Sequence, residues 1–125
     1  MRMNHKQERK RLRAKARQKR DNIPPAVRSD WSQQIIKQVI DWIETNGANA
    51  ILLYLSMRSE VETNHLFDYL LNSGKVVLAP VMDLKQYTLT PHRITDAERD
   101  LVVHPYGMHE PNTEACLPFP LDKID

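Results

Sequence analysis

The stretch Ala50-Ile-Leu-Leu-Tyr-Leu-Ser-Met-Arg-Ser-Glu-Val-Glu-Thr63 joins an apolar run to a polar loop and decides the fold. Its apolar part, residues 50–55, does not alternate with polar residues, which predicts a strand buried on both faces of a sheet. The polar loop begins at Ser56, and Thr63 is a good cap for a following helix. Because open α/β sheets bind ligands where a buried strand ends in a loop that feeds a helix, we expect a site here.

A helix and then a second strand follow the loop. The apolar face of this helix repeats at helical spacing through Leu66, Phe67, Leu70 and Leu71. Gly74 ends the helix, and a second continuous apolar run covers residues 76–79 before Pro80 closes it. Strand, helix and strand in this order predict a parallel βαβ unit.

Two helices precede this unit. Residues 5–21 are mostly good helix formers and predict a helix, which the segment 22–25 with its two prolines ends. Pro25 suits the first position of the next helix, and Gly47 suits its end. That helix carries an apolar stripe that we expect to face the core, formed by Trp31, Ile35, Val39 and Trp42 and widened by Ile36, Ile40 and Ile43.

The pattern predicts an α/β fold with an open, mostly parallel sheet and helices on both faces, a Rossmann-like three-layer arrangement. Residues 87–90 predict an edge strand, residues 95–103 a short helix or loop, and residues 104–120, with four prolines, irregular structure. Doubly wound sheets typically have about 5–6 strands, and residues 121–125 resemble the approach to a further strand. We therefore expect one domain over residues 1–125 that is incomplete at its C-terminus.

Charge is distributed unevenly along the chain. The formal net charge is +2, but residues 1–20 carry a net charge of +9 and the remaining residues −7. This split indicates that the N-terminal segment meets a polyanion or folds back on an acidic body. A single cysteine, Cys116, excludes an internal disulfide framework and a multi-thiolate metal site. With no apolar run near the ~18 residues of a membrane span, we expect a cytoplasmic protein.

The basic helix 5–21 presents arginines at spacings that share one face, namely Arg9, Arg13, Arg17 and Arg20. Guanidinium groups clamp phosphate oxygens in pairs, so this face favours a phosphate ligand, with Leu12 and Ala16 as an apolar anchor. A solvated basic helix and a nucleic-acid-binding module also fit the charge. The nucleic-acid interpretation lacks aromatic residues for base stacking, because residues 1–30 contain none.

Two further residues suit a heterocyclic ligand. The carboxylate of Glu60, in the loop after the first strand, would accept hydrogen bonds from amine and amide groups, although it would equally serve as a surface charge near the helix start. Tyr106 lies between Pro105 and Gly107 and would stack on a ring or cover the core.

Five segments together resemble the 5-formyltetrahydrofolate cyclo-ligase family over essentially the whole chain. They are Arg9-Lys-Arg-Leu-Arg13, the helix with Trp31 and Ile35, Tyr54-Leu-Ser-Met-Arg-Ser-Glu-Val-Glu-Thr63, Gly74-Lys-Val-Val-Leu-Ala-Pro80 and Tyr106-Gly-Met-His-Glu-Pro111. The resemblance implies a ligase of folate one-carbon metabolism. It would use ATP and Mg²⁺ to phosphorylate the formyl oxygen of 5-formyltetrahydrofolate, after which ring closure releases phosphate and gives 5,10-methenyltetrahydrofolate.

The resemblance also implies site residues. The residues implied for ATP are Arg9, Lys10, Arg11, Leu12, Arg13 and Arg17, and those implied for the reduced folate are Leu55, Glu60 and Tyr106. No catalytic residue is assigned, and the metal ligands are expected downstream of Asp125, so the chain is expected to be a truncated, weakly active or inactive form. The alternatives are the nucleic-acid-binding module and a non-catalytic interaction protein that self-associates through an exposed sheet edge.

Overall fold

The computed structural model describes residues 4–103 and 109–125, and the two N-terminal helices follow their local sequence signals. Helix α1 spans His5–Asp21 and starts with a capping box, in which Asn4 Oδ1 accepts the N–H of Gln7 at 2.8 Å. Helix α2 spans Pro25–Asn46 and ends at Gly47, whose φ of 65° is left-handed. The predicted helix 5–21, the start at Pro25 and the stop at Gly47 are confirmed.

The main sheet has three strands, β1 (Ala50–Leu52), β2 (Val76–Asp83) and β3 (Thr88–Ile94), in the order β1-β2-β3. Helix α3 (Asn64–Asn72) joins β1 to β2, which are parallel, so the predicted βαβ unit is confirmed. Strand β3 is antiparallel to β2, because a short turn joins them instead of a crossover. The α/β class is therefore confirmed, with one parallel and one antiparallel pairing.

The C-terminal third holds short elements. Helix α4 (Ala97–Asp100) leads into β4 (Leu101–Val103), which pairs antiparallel with β5 (His109–Pro111). Residues 95–103, predicted as a short helix or a loop, thus contain a short helix and a strand. The prediction of irregular structure over 104–120 is wrong at β5, where pairing with β4 outweighs the weak local signal.

The core lies between the sheet and helices α2 and α3. The α3 side chains Leu66, Phe67 and Leu70 are buried, as predicted, and pack in one cluster with Val77 of β2 and Ile36 of α2. Burying a side chain of this size stabilises the fold by roughly 1.5–3 kcal/mol. This cluster therefore fixes the position of α3 relative to the sheet, below the loop at residues 56–63.

Two strand predictions are corrected. Strand β1 is shorter than residues 50–55 and is not covered on both faces, since Leu52 and Tyr54 are exposed. Among the described strands β1 pairs only with β2. Pro80 does not close β2 but lies inside it, opposite Pro91. It is tolerated because it lies beyond the end of β1, so β1 has no ladder bond to lose there.

The predicted inward stripe of α2 is also corrected. Trp31 is 51% exposed and Trp42 is 61% exposed, whereas Ile36 and Ile43 are buried. At 3.6 residues per turn, the apolar residues of α2 cover about half of the helix circumference, and only one side of that arc faces the core.

Among the described residues no helix combines the length and hydropathy that crossing a bilayer requires.

Candidate functional site

The loop after β1 is closed by a reciprocal pair of hydrogen bonds. The N–H of Ser56 donates to Thr63 Oγ1, and the N–H of Thr63 donates to Ser56 Oγ, both at 3.0 Å. The Thr63 hydroxyl donates in turn to the carbonyl of Tyr54 at 3.0 Å. Thr63 therefore occupies the predicted cap position of α3 without making a side-chain cap bond, because its hydroxyl holds the loop.

Glu60 is held inside this loop. Its Oε1 accepts the N–H of Met57 at 3.0 Å, and Arg58 between them adopts a left-handed φ of 54°. The Tyr54 hydroxyl donates to the Val61 carbonyl at 3.0 Å. Burial, followed by the charge of Glu60, raises the pKa of Tyr54. The carboxylate is thus fixed beside a phenol, with its second oxygen outside the bond to Met57.

The end of α1 is tied to the same loop. Arg20 Nε donates to Ser59 Oγ at 3.0 Å, and the Ser59 hydroxyl donates to Asp21 Oδ1. Ser59 is buried, whereas α1 has no buried residue along His5–Asp21. The predicted apolar anchor at Leu12 and Ala16 is wrong, because both are exposed. Polar contacts at the last turn of the helix hold it instead.

Two predicted folate residues line one cavity of about 290 Å³, here called the acidic cavity. Its lining is Tyr54, Leu55, Met57, Glu60, Pro80, Met82, Leu89, His109 and Glu110. The structure therefore brings Leu55 and Glu60 together with a second carboxylate, Glu110. The third predicted folate residue, Tyr106, lies outside the described residues.

Four of the six predicted ATP residues line a second cavity of about 940 Å³, here called the basic cavity. Its lining is Lys6, Arg9, Lys10, Arg13, Ala14, Arg17 and Tyr87. Arg11 and Leu12 do not line it, because at about 100° per residue they lie on other sides of α1. Arg11 forms an ion pair with Glu8 at 2.6 Å, and Leu12 is half exposed.

The two cavities share the outer end of the β2–β3 hairpin. Met82 and Leu89 line the acidic cavity, and Tyr87, in the turn between their strands, lines the basic cavity. Along α1, Arg13 lies seven residues before Arg20, which is about 10 Å at 1.5 Å per residue. Since Arg20 contacts the loop that holds Glu60, α1 and the β2–β3 hairpin both link the two cavities.

Tyr87 and Glu110 are two site residues that the sequence did not reveal. Tyr87 is 92% exposed with a φ of 54°, an uncommon conformation for a bulky residue. Its signal in the sequence is an aromatic residue in a polar turn. Glu110 lies on β5, whose short sequence resembles a loop. Within residues 4–103 and 109–125, no cluster of three or more His, Cys, Asp or Glu side chains is placed to hold a metal ion.

Comparisons with known proteins agree with the resemblance in the sequence. The chain is 26% identical over 121 residues to a 5-formyltetrahydrofolate cyclo-ligase of Haemophilus influenzae, covering 95% of this chain and 64% of that protein. Its fold is similar to the NMR structure of Aquifex aeolicus 5,10-methenyltetrahydrofolate synthetase, with a TM-score of 0.76 and 22% identity over 93% of this chain and 57% of that one. This chain thus spans less than two thirds of either relative.

A family model assigns the chain directly. The model of the 5-formyltetrahydrofolate cyclo-ligase family matches residues 5–124, which includes both cavities and every described element from α1 to the final turn. The order of motifs from Arg9 to Pro111 therefore identified the family correctly. The chain belongs to the 5-formyltetrahydrofolate cyclo-ligase family.

Proposed function

We propose that this chain binds ATP in the basic cavity and a reduced folate in the acidic cavity, as part of the ATP-dependent conversion of 5-formyltetrahydrofolate to 5,10-methenyltetrahydrofolate. Family membership supports the reaction class. The observation that carries the assignment of ligands is the pair of cavities with opposite charge, which α1 and the β2–β3 hairpin link.

The basic cavity suits a triphosphate. Five cationic side chains line it, and three of them are arginines whose forked donors match phosphate oxygens. We assign Arg9, Lys10, Arg13 and Arg17 to the phosphates, and the exposed ring of Tyr87 to the adenine base. Arg11 and Leu12 remain predictions carried by the family resemblance alone.

The acidic cavity suits the pterin ring. Leu55, Pro80, Met82 and Leu89 provide apolar walls for the ring faces. The Glu60 carboxylate oxygen that does not bond the N–H of Met57 would accept a hydrogen bond from the amine and amide edge of the ring. Tyr106 stays a prediction for the same substrate.

The chemistry explains why both ligands must be close together. A formyl oxygen leaves poorly until it becomes a phosphate ester, so the γ-phosphoryl group has to reach it. Arg13 and Arg17, which line the basic cavity, would neutralise charge on the moving phosphoryl group. Because the described residues offer no cluster for a metal, we assign no residue of this chain to Mg²⁺.

Paired substitutions test the ligand assignment. Arg13→Ala removes a charged donor, which corresponds to about 1.5–3 kcal/mol or roughly 10–150-fold in affinity. We expect it to weaken ATP binding in calorimetry without changing folate binding, and we expect Glu60→Ala to do the reverse. Lys15→Ala, on the opposite side of α1, and the exposed Glu114→Ala serve as matched controls. Unchanged affinity of both variants for both ligands would contradict the assignment, as would failure of the unmodified chain to bind either ligand at millimolar concentration.

Nucleic-acid binding is the second candidate, because exposed Tyr87 supplies beside α1 the aromatic ring that residues 1–30 lack. It predicts RNA affinity that falls steeply with salt and is lost when residues 1–20 are removed. ATP binding that saturates at physiological salt, with RNA bound no better than other polyanions, would decide for the enzyme.

A further inference from the structure

Glu110 carries a buried carboxylate oxygen that finds no donor in the described part of the chain. Among the described residues, no hydrogen-bond partner lies within reach of Glu110 Oε2. The residue sits in the middle of β5, paired with Val102 of β4, and lines the acidic cavity together with Glu60. A buried acceptor without a donor costs about 1–3 kcal/mol, and more when it is charged, so such a group calls for an explanation.

The surroundings of Glu110 indicate which kind of group completes it. The cavity combines two carboxylates with mostly apolar walls, which suits a flat ring that presents N–H donors along one edge. Its volume of about 290 Å³ lies near the lower end of ligand pockets, roughly 300 Å³. That space fits a ring system better than an entire folate molecule.

We infer that Glu110 is a second substrate-binding carboxylate, which accepts a hydrogen bond from the 2-amino group of the reduced pterin while Glu60 accepts from the same edge of the ring. This inference rests on the proposed function of the acidic cavity. The 2-amino-4-oxopyrimidine edge presents two neighbouring donors, the exocyclic amine and the ring N–H. One oxygen of Glu60 already accepts the N–H of Met57. A second carboxylate is therefore needed to accept from the second donor of the pterin edge.

The arrangement makes Glu110 a determinant of specificity. A site built to pair a substrate N–H leaves buried acceptors unpaired when an analogue without that group binds. The chain should therefore discriminate against a folate analogue whose 2-amino group is replaced by a methyl group. Loss of the Glu110 charge should remove most of that discrimination.

The experiment measures calorimetric affinities of the full chain for 5-formyltetrahydrofolate, for its 2-methyl analogue and for ATP. Glu110→Gln is nearly isosteric and replaces an acceptor oxygen with a donor, and Glu114→Gln is its matched control on an exposed carboxylate. We expect Glu110→Gln to weaken the parent folate at least tenfold, to change the analogue less than threefold, and to leave ATP affinity and the melting temperature unchanged. Glu114→Gln should change none of them.

Equal affinities of Glu110→Gln and the unmodified chain for both folates would overturn the inference, and so would an equal loss for both. If Glu110→Gln does not fold, Glu110→Asp keeps the charge and withdraws it by one methylene, and it should weaken only the parent folate. Folate binding by the unmodified chain with no effect at Glu110 overturns this inference alone. Absence of folate binding by the unmodified chain overturns the proposed function with it.

Discussion

Ser59→Ala should separate ATP binding from the stability of the fold. Ser59 is the buried hydroxyl that accepts from Arg20 and donates to Asp21, both in the last turns of α1. Because no residue of α1 is buried, removing this contact should release the helix without opening the core.

The magnitude follows from the two bonds. Hydrogen bonds to charged groups are worth roughly 1.5–3 kcal/mol each, but Arg20 and Asp21 regain water when the helix is released. A net loss of about 1–2 kcal/mol corresponds to about a 5–30-fold fall in the ratio of docked to free helix. Apparent affinity falls in proportion to the fraction of protein whose α1 is docked and able to bind. The ATP affinity should therefore fall by at most about 5–30-fold.

Calorimetry and amide hydrogen exchange measure this effect. We expect weaker ATP binding, faster exchange in residues 5–21 and a melting temperature within a few degrees of the unmodified chain. Ser73→Ala removes an exposed hydroxyl that donates to the Tyr69 carbonyl at 2.7 Å, and it should leave ATP affinity unchanged. ATP affinity within twofold of the unmodified chain, with unchanged exchange in α1, would refute the argument.

Two more predictions concern the turn and the buried carboxylate. Tyr87→Ala should weaken ATP about tenfold, since stacking on a base is worth about 1–3 kcal/mol, but should not change the affinity for inorganic triphosphate; an equal loss for both ligands would contradict adenine stacking. The Arg99 guanidinium at 2.6 Å, followed by the N–H groups of Thr95 and Asp96, lowers the pKa of buried Asp100 far below the unfolded value of about 3.9. Its stabilisation is therefore complete above about pH 5 and is lost as the pH falls toward that lowered pKa. Asp100→Asn should lower the free energy of unfolding in urea by about 2–4 kcal/mol at pH 7 and by clearly less at pH 2. An equal loss at both pH values would contradict a stabilising role of the Asp100 charge.

Helix boundaries were predictable because their causes are local. Pro25 fixes a helix start, and Gly47 supplies the left-handed conformation of a helix stop without a steric penalty. The orientation of α2 was not predictable, because Ile36 and Trp31 belong to one apolar arc. Only the position of the sheet decides that Ile36 is buried and Trp31 is not.

Strand pairing depended on contacts far apart in the sequence. The β2–β3 turn lacks an Asn-Gly or Asp-Gly signal, and Asp83 Oδ1 instead organises it by accepting from the N–H groups of Lys85 and Gln86. The predicted edge strand at residues 87–90 is confirmed by β3, but its longer extent and its antiparallel pairing with β2 were not predicted. From the sequence alone Pro80 predicts a strand end, and only the point where β1 stops explains why the proline is tolerated inside β2.

The part of the site that lies on one helix face was predictable from the helical periodicity of the sequence. The spacing of Arg9, Arg13 and Arg17 predicted one face of α1, and that face lines the basic cavity. The contiguous motif also included Arg11, which the helical turn carries away from this face. Glu110 was missed because its distance from Glu60 in space is set by the packing of β5 near β2.

The central claim is that two separate cavities hold the two ligands, the basic cavity the phosphates of ATP and the acidic cavity the pterin of the folate. The most direct test is an NMR titration of the ¹⁵N-labelled chain with each ligand. The account predicts that ATP shifts the amide signals of residues 6–17 and Tyr87, and that 5-formyltetrahydrofolate shifts those of residues 54–60 and Glu110. Shifts of one common set of residues by both ligands, or no shifts in these segments at saturating ligand, would contradict it.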